Sequence, residues 1–98
     1  MVDLLISSVS AWRDRYFPGE TDDNPDSKTD IIQSTPHDIR IGLELRDIDK
    51  GRRDAIIHDL YGLAQERKAA LYSDRLLSTE EELAHALRGA GGIVYLRS

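Results

Sequence analysis

A chain of 98 residues, 40% hydrophobic and 32% charged, has the size and composition of one folded domain. It contains no cysteine, which excludes disulfide frameworks and thiolate metal or redox sites. A net charge of −5 argues against non-specific nucleic-acid binding. No apolar run is long enough for a membrane helix, and the start Met1-Val2-Asp3 lacks the basic region of a secretory signal.

The first element expected is a helix over residues 1–17, capped by Asp3 and stopped by Pro18-Gly19. Leu5, Val9, Trp12 and Tyr16 share one helical face. Aromatic residues in such a stripe are ordinary core, and the competing role is docking on a partner subunit. Residues 18–35 read as an acidic loop or arm. Five acids between Glu20 and Asp30, against Lys28 alone, account for −4 of the −5. Asp22, Asp23 and Asp26 are its candidate contacts for a basic surface. Asp22-x-Asn24-x-Asp26, with Asp30, has the ligand spacing of an EF-hand loop. Ser27 at the glycine position, Pro25 within the loop and Gln33 in place of the closing Glu break the match, so the segment reads as a solvated loop.

Residues 36–98 form the expected core. Ile39, Ile41, Leu43 and Leu45 alternate with polar residues, the pattern of a strand with one buried face. The Ile31–Ile32 region is a candidate for a further strand. Asp47 or Asp49 caps a helix expected to run to about Ser73, with Ile56, Leu60, Leu63, Arg67 and Leu71 in one row and Ile57, Tyr61 and Ala64 beside it. Gly62 weakens that helix. Arg67 interrupts the row, either reaching solvent along its stem or forming an ion pair across a subunit contact. A connection over residues 73–77 precedes a helix opened by Ser78-Thr79-Glu80-Glu81-Glu82, where Ser78…Glu81 and Thr79…Glu82 both have capping-box spacing. Gly89 ends it. Ile93-Val94-Tyr95-Leu96 is a final strand, apolar on both faces and so expected inside the sheet or against another chain.

No constellation specifies a reaction. His37-Asp38 and His58-Asp59 are His-Asp pairs of the kind that HD metal phosphohydrolases use, but those enzymes need a larger helical bundle and further ligands. Asp54/His58 and Glu81/His85 have i, i+4 spacing without a third ligand to complete a metal site. The glycines at 89, 91 and 92 follow a helix, whereas a phosphate loop precedes one. Arg52 and Arg53, with Lys50, make a small basic spot for phosphate or a partner's acids.

The reading is therefore a small single-domain α+β protein in the order α, long loop, β, α, α, β. Its small antiparallel or mixed sheet is covered by a long amphipathic helix. Two strands alone make a poor sheet, which points to neighbours that complete it. The function expected is a non-enzymatic assembly or adaptor subunit of a larger symmetric complex, such as a phage head-tail or tail component. The alternative is a small acidic inhibitor or regulator that binds a basic protein surface. Neither reading requires a cofactor or metal. Both imply protein partners, the first as a homo-oligomer, a hetero-assembly or both, and neither a membrane or specific nucleic acid. Localisation would be cytoplasmic or in a virion.

Overall fold

In a computed structural model, the described residues are 4–18, 29–35, 37–45, 48–88 and 92–98. The order is α1 (Leu4–Tyr16), β1 (Thr29–Thr35), β2 (Asp38–Leu43), α2 (Lys50–Glu66), β3 (Ala70–Tyr72), β4 (Leu76–Leu77), α3 (Glu80–Arg88) and β5 (Ile93–Arg97). Three helices and one five-stranded antiparallel sheet thus make a small α+β domain.

The expected order changes in three places. Residues 29–35, placed in the acidic connection, form β1, whose pairing with β2 makes a hairpin. The long helix stops at Glu66 rather than near Ser73, and Leu71 belongs to β3. Residues 76–77, expected in a connection, form β4 and pair with β3. The sheet order is β1-β2-β5-β3-β4, so the last strand of the chain joins two local hairpins. The expected shortage of strands, and the argument for neighbours built on it, disappears.

The early stop of α2 has a local cause. Arg67 is the C-cap and Lys68 follows with φ 56°, the left-handed conformation. The Ala69 amide donates to the Ala64 carbonyl at 2.8 Å and the Lys68 amide to the Gln65 carbonyl at 3.1 Å. These two bonds form a Schellman end, which normally recruits glycine at the position Lys68 occupies. At the other end, the Asp49 carboxylate accepts from the Arg52 amide at 3.2 Å, which selects Asp49 as the cap. For α3, Thr79 Oγ1 accepts from the Glu82 amide at 3.1 Å, while Glu82 Oε1 accepts from the Ser78 amide at 3.0 Å. The second of the two capping boxes is therefore the one used.

Alternation along the strands sorts the sheet into two faces. Ile31, Ile39, Ile41, Leu43, Leu71, Leu77, Val94 and Leu96 are buried on one of them. They share a single core with Leu5, Val9, Trp12 and Phe17 from the first helical segment, Ile56, Ile57, Leu60 and Ala64 from α2, and Leu83 and Leu87 from α3. Trp12 is 1% exposed, and its indole Nε1 donates to the Ile56 carbonyl at 3.1 Å, tying α1 to α2 inside the core.

Two glycines differ in what they do. Gly92 has φ +71°, and a Cβ there would lie 2.2 Å from the Leu43 carbonyl oxygen. It lets the chain enter β5 directly against the end of β2. Gly62, inside α2, has open space where its Cβ would be. Replacing Gly92 by Ala is expected to destabilise the fold by about 2 kcal/mol or more, through strain and the clash with a backbone atom. Gly62→Ala is expected to stabilise it by about 0.5–1 kcal/mol, because helix interiors favour Ala over Gly. Urea unfolding midpoints of the two variants should move in opposite directions, and equal shifts would disprove this account.

Candidate protein-interaction surface

The second face of the sheet carries the surface most suited to a partner. The strand registers align Ile32 with Arg40, Arg40 with Tyr95, Tyr95 with Tyr72, and Tyr72 with Leu76. One row of side chains therefore crosses all five strands. Three of its members, Ile32, Tyr95 and Leu76, are the large hydrophobic residues exposed among the described residues, at 44%, 44% and 48%. Single exposed apolar residues are common on any protein. Three on one cross-strand line, with Tyr72 completing it, form a patch.

The charges around the row neutralise one another. Arg40 Nη1 lies 3.3 Å from Asp30 Oδ2, and Arg97 Nε lies 3.0 Å from Asp38 Oδ1. The Arg97 guanidinium also sits 5.9 Å from the Tyr72 ring centroid, within cation–π range. Such exposed pairs add about 0–1 kcal/mol each to stability. Their larger effect is to leave no uncompensated charge among these four ionised groups. Aromatic and basic side chains on a sheet also suit single-stranded nucleic acid, but that use needs net positive charge. Each arginine here is matched by a carboxylate.

The residues singled out from the sequence lie elsewhere. Leu5, Val9 and Trp12 are buried in the chain's own core. Tyr16 is half-buried, and its hydroxyl donates to the Asp59 carboxylate. That bond, with a smaller contribution from desolvation, holds the phenol above its ordinary pKa. Arg15 lies 3.3 Å from the same carboxylate. Arg52 donates to the Tyr16 carbonyl and lies 6.0 Å from the Phe17 ring, so it finishes the C-terminal end of α1. Arg53 is half-buried. Arg67 Nε donates to Ser8 Oγ at 2.9 Å, a contact within one chain. Asp22, Asp23 and Asp26 lie outside the described residues.

Two clefts flank the helices. One of about 390 Å³ lies between α1 and α2, with Trp12 and Gly62 in its wall, and the Arg15–Asp59 and Arg67–Ser8 contacts brace it. The other, about 550 Å³, is lined by Asp74, Arg75, Glu81 and His85 among others. Among the described residues, no group of three or more His, Asp or Glu side chains could hold a metal ion. Asp54 lies 3.6 Å from Lys50, and His58 Nδ1 lies 2.8 Å from Glu80 Oε1. The i, i+4 pair Asp54/His58 is thereby divided between two other partners. No helix among the described residues is long and apolar enough to cross a membrane.

The His58–Glu80 contact joins the middle of α2 to the start of α3. The hydrogen bond to Glu80, then its charge, raises the His58 pKa above 6.5. A raised histidine pKa stabilises the fold fully below the unfolded value of about 6.5, and the contribution is lost as pH rises through the higher folded value. In an NMR titration, Glu80→Gln is expected to bring the His58 midpoint back down towards 6.5; an unchanged His58 midpoint would exclude the pair in solution.

Compared with known proteins, the chain matches no family model, no curated protein and no solved structure.

Proposed function

We propose that the chain is a non-enzymatic assembly subunit that contributes its open sheet face to a larger symmetric protein complex. The observation that supports this most is the row Ile32–Arg40–Tyr95–Tyr72–Leu76, apolar at three exposed positions and neutralised around them. Exposed apolar residues set among neutralised polar groups are how protein interfaces present themselves before association. On this reading α2, which buries Ile56, Ile57, Leu60 and Ala64, belongs to the covered side of the sheet, and the outer side is left for partners. A place in a phage head-tail or tail assembly is the narrower form of the proposal.

The test is the native mass of the protein as isolated from its source, with whatever co-purifies. A complex larger than the monomer is expected. Tyr95→Lys and Leu76→Lys should leave folding stability within about 0.5 kcal/mol, as surface changes do. The same changes should weaken incorporation into the complex by about tenfold or more, as expected for apolar interface anchors. A protein that stays monomeric in its source extract, or complexes indifferent to both changes, would sink the proposal.

A further inference from the structure

We propose that the cleft between α1 and α2 is a small-molecule site, and that its ligand is a compact aromatic carboxylate. This goes beyond the assembly reading and does not rest on it.

The cleft has a volume of about 390 Å³, within the range of small-molecule pockets. Two bridges between the helices set its length. At one end Arg67 Nε donates to Ser8 Oγ at 2.9 Å, and at the other Arg15 Nη1 lies 3.3 Å from Asp59 Oδ2. Ser8 and Arg15 are seven residues apart in α1, so the bridges stand about 10 Å apart along it. A partner helix would have to run on past both bridges, whereas a molecule of one or two rings is contained between them.

Gly62 points to an occupant. Inside a helix glycine is less stable than alanine, so it needs a compensating use. Within the chain Gly62 has none. Its φ is not positive, and a Cβ there would meet no atom within 4 Å. Its open space belongs to the cleft, whose wall it forms together with Ala11 from α1. Trp12 and Leu63 also line it, so the middle of the cleft is apolar and floored by backbone and small side chains. A flat ring can approach the α2 backbone there, which is a recurrent use of glycine.

Charge selects the ligand's polar group. The acid Asp59 already accepts from the Tyr16 hydroxyl and faces Arg15. His58 is turned to Glu80. Arg67 differs, because its side-chain partner among the described residues is the neutral Ser8 hydroxyl, and none of their carboxylates forms an ion pair with it. The Nη groups of Arg67 are therefore open to the bidentate bond that a carboxylate accepts. The Ser8 hydroxyl, which accepts from Nε, keeps its own proton to donate to the same anion. Glu66, exposed on this rim, opposes a negative ligand and opposes a doubly charged phosphate more than a single carboxylate. The carboxylate thus belongs at the Arg67–Ser8 end, with the ring over Gly62 and Ala11.

The test titrates the full chain with 2-naphthoate, 2-naphthylmethylamine and acetate, followed by backbone amide NMR shifts. 2-Naphthoate is expected to bind with a dissociation constant of about 1 mM or lower, as suits a ligand of its size. Its largest shifts should fall at Ala11, Gly62 and Arg67. The amine, which lacks the anion, and acetate, which lacks the ring, should each bind about tenfold more weakly or worse. Gly62→Ala should weaken 2-naphthoate about tenfold or more while raising the unfolding midpoint, so the loss cannot come from unfolding. Arg67→Met, which keeps the stem, should abolish the preference for carboxylate over amine, and Glu66→Gln should tighten 2-naphthoate. Absence of saturable shifts in the cleft, shifts centred on Tyr72 and Tyr95 instead, equal binding of the acid and the amine, or binding indifferent to Gly62→Ala would each overturn the site.

Discussion

The fold depends on one long-range pairing, the insertion of β5 between two hairpins. β1–β2 and β3–β4 each form from neighbouring segments, but neither is more than a two-stranded ribbon by itself, and isolated ribbons are marginal in water. β5 pairs with β2 along Asp38–Gly42 and with β3 along Ala70–Tyr72, turning two ribbons into one sheet. Val94 and Leu96 are fully buried in the centre of the core. Truncating a buried leucine to Ala ordinarily costs about 2–5 kcal/mol, a large part of the stability of a domain of this size. The close approach at Gly92 belongs to the same constraint, because β5 must pass the Leu43 carbonyl before it can enter the sheet.

This arrangement explains which elements were legible in the sequence. β2 was, because Ile39, Ile41 and Leu43 face a core and the residues between them do not, which writes a period of two. The body of α2 was, because Ile56, Leu60 and Ala64 follow the helical period. Its end was not. Lys68 takes a left-handed conformation that glycine would have announced, and Lys68-Ala69-Ala70 reads locally as continuing helix. The Schellman bonds and the pairing of β3 with both β4 and β5 outweigh that local preference. β1 was only half legible. Thr29-Asp30-Ile31-Ile32-Gln33-Ser34-Thr35 has two apolar residues in seven, since a strand at the sheet's end contributes few side chains to the core.

The candidate surface was harder to foresee than the fold, for a related reason. Its row takes one residue from each strand, and the chain positions from Ile32 to Tyr95 become neighbours only through register. Amphipathic helix faces, by contrast, are visible within a dozen residues. They drew attention to Leu5, Val9 and Trp12, which the chain uses for its own core. One local signal did point to the surface. In Ile93-Val94-Tyr95-Leu96, apolar residues occupy both sides of the strand, although among the described residues Val94 and Leu96 are the ones buried and Tyr95 is exposed. The apparent excess of hydrophobicity is Tyr95 on the open face.

The arginines set the charge of that face. An isolated Arg40 or Arg97 beside two tyrosines would favour an anionic ligand, and the acidic composition of the chain would oppose it. Pairing with Asp30 and Asp38 resolves the conflict by cancelling charge locally, and the Arg97 guanidinium lies 5.9 Å from the Tyr72 ring centroid. Such a face gains from covering its apolar row and loses little from desolvating a net charge.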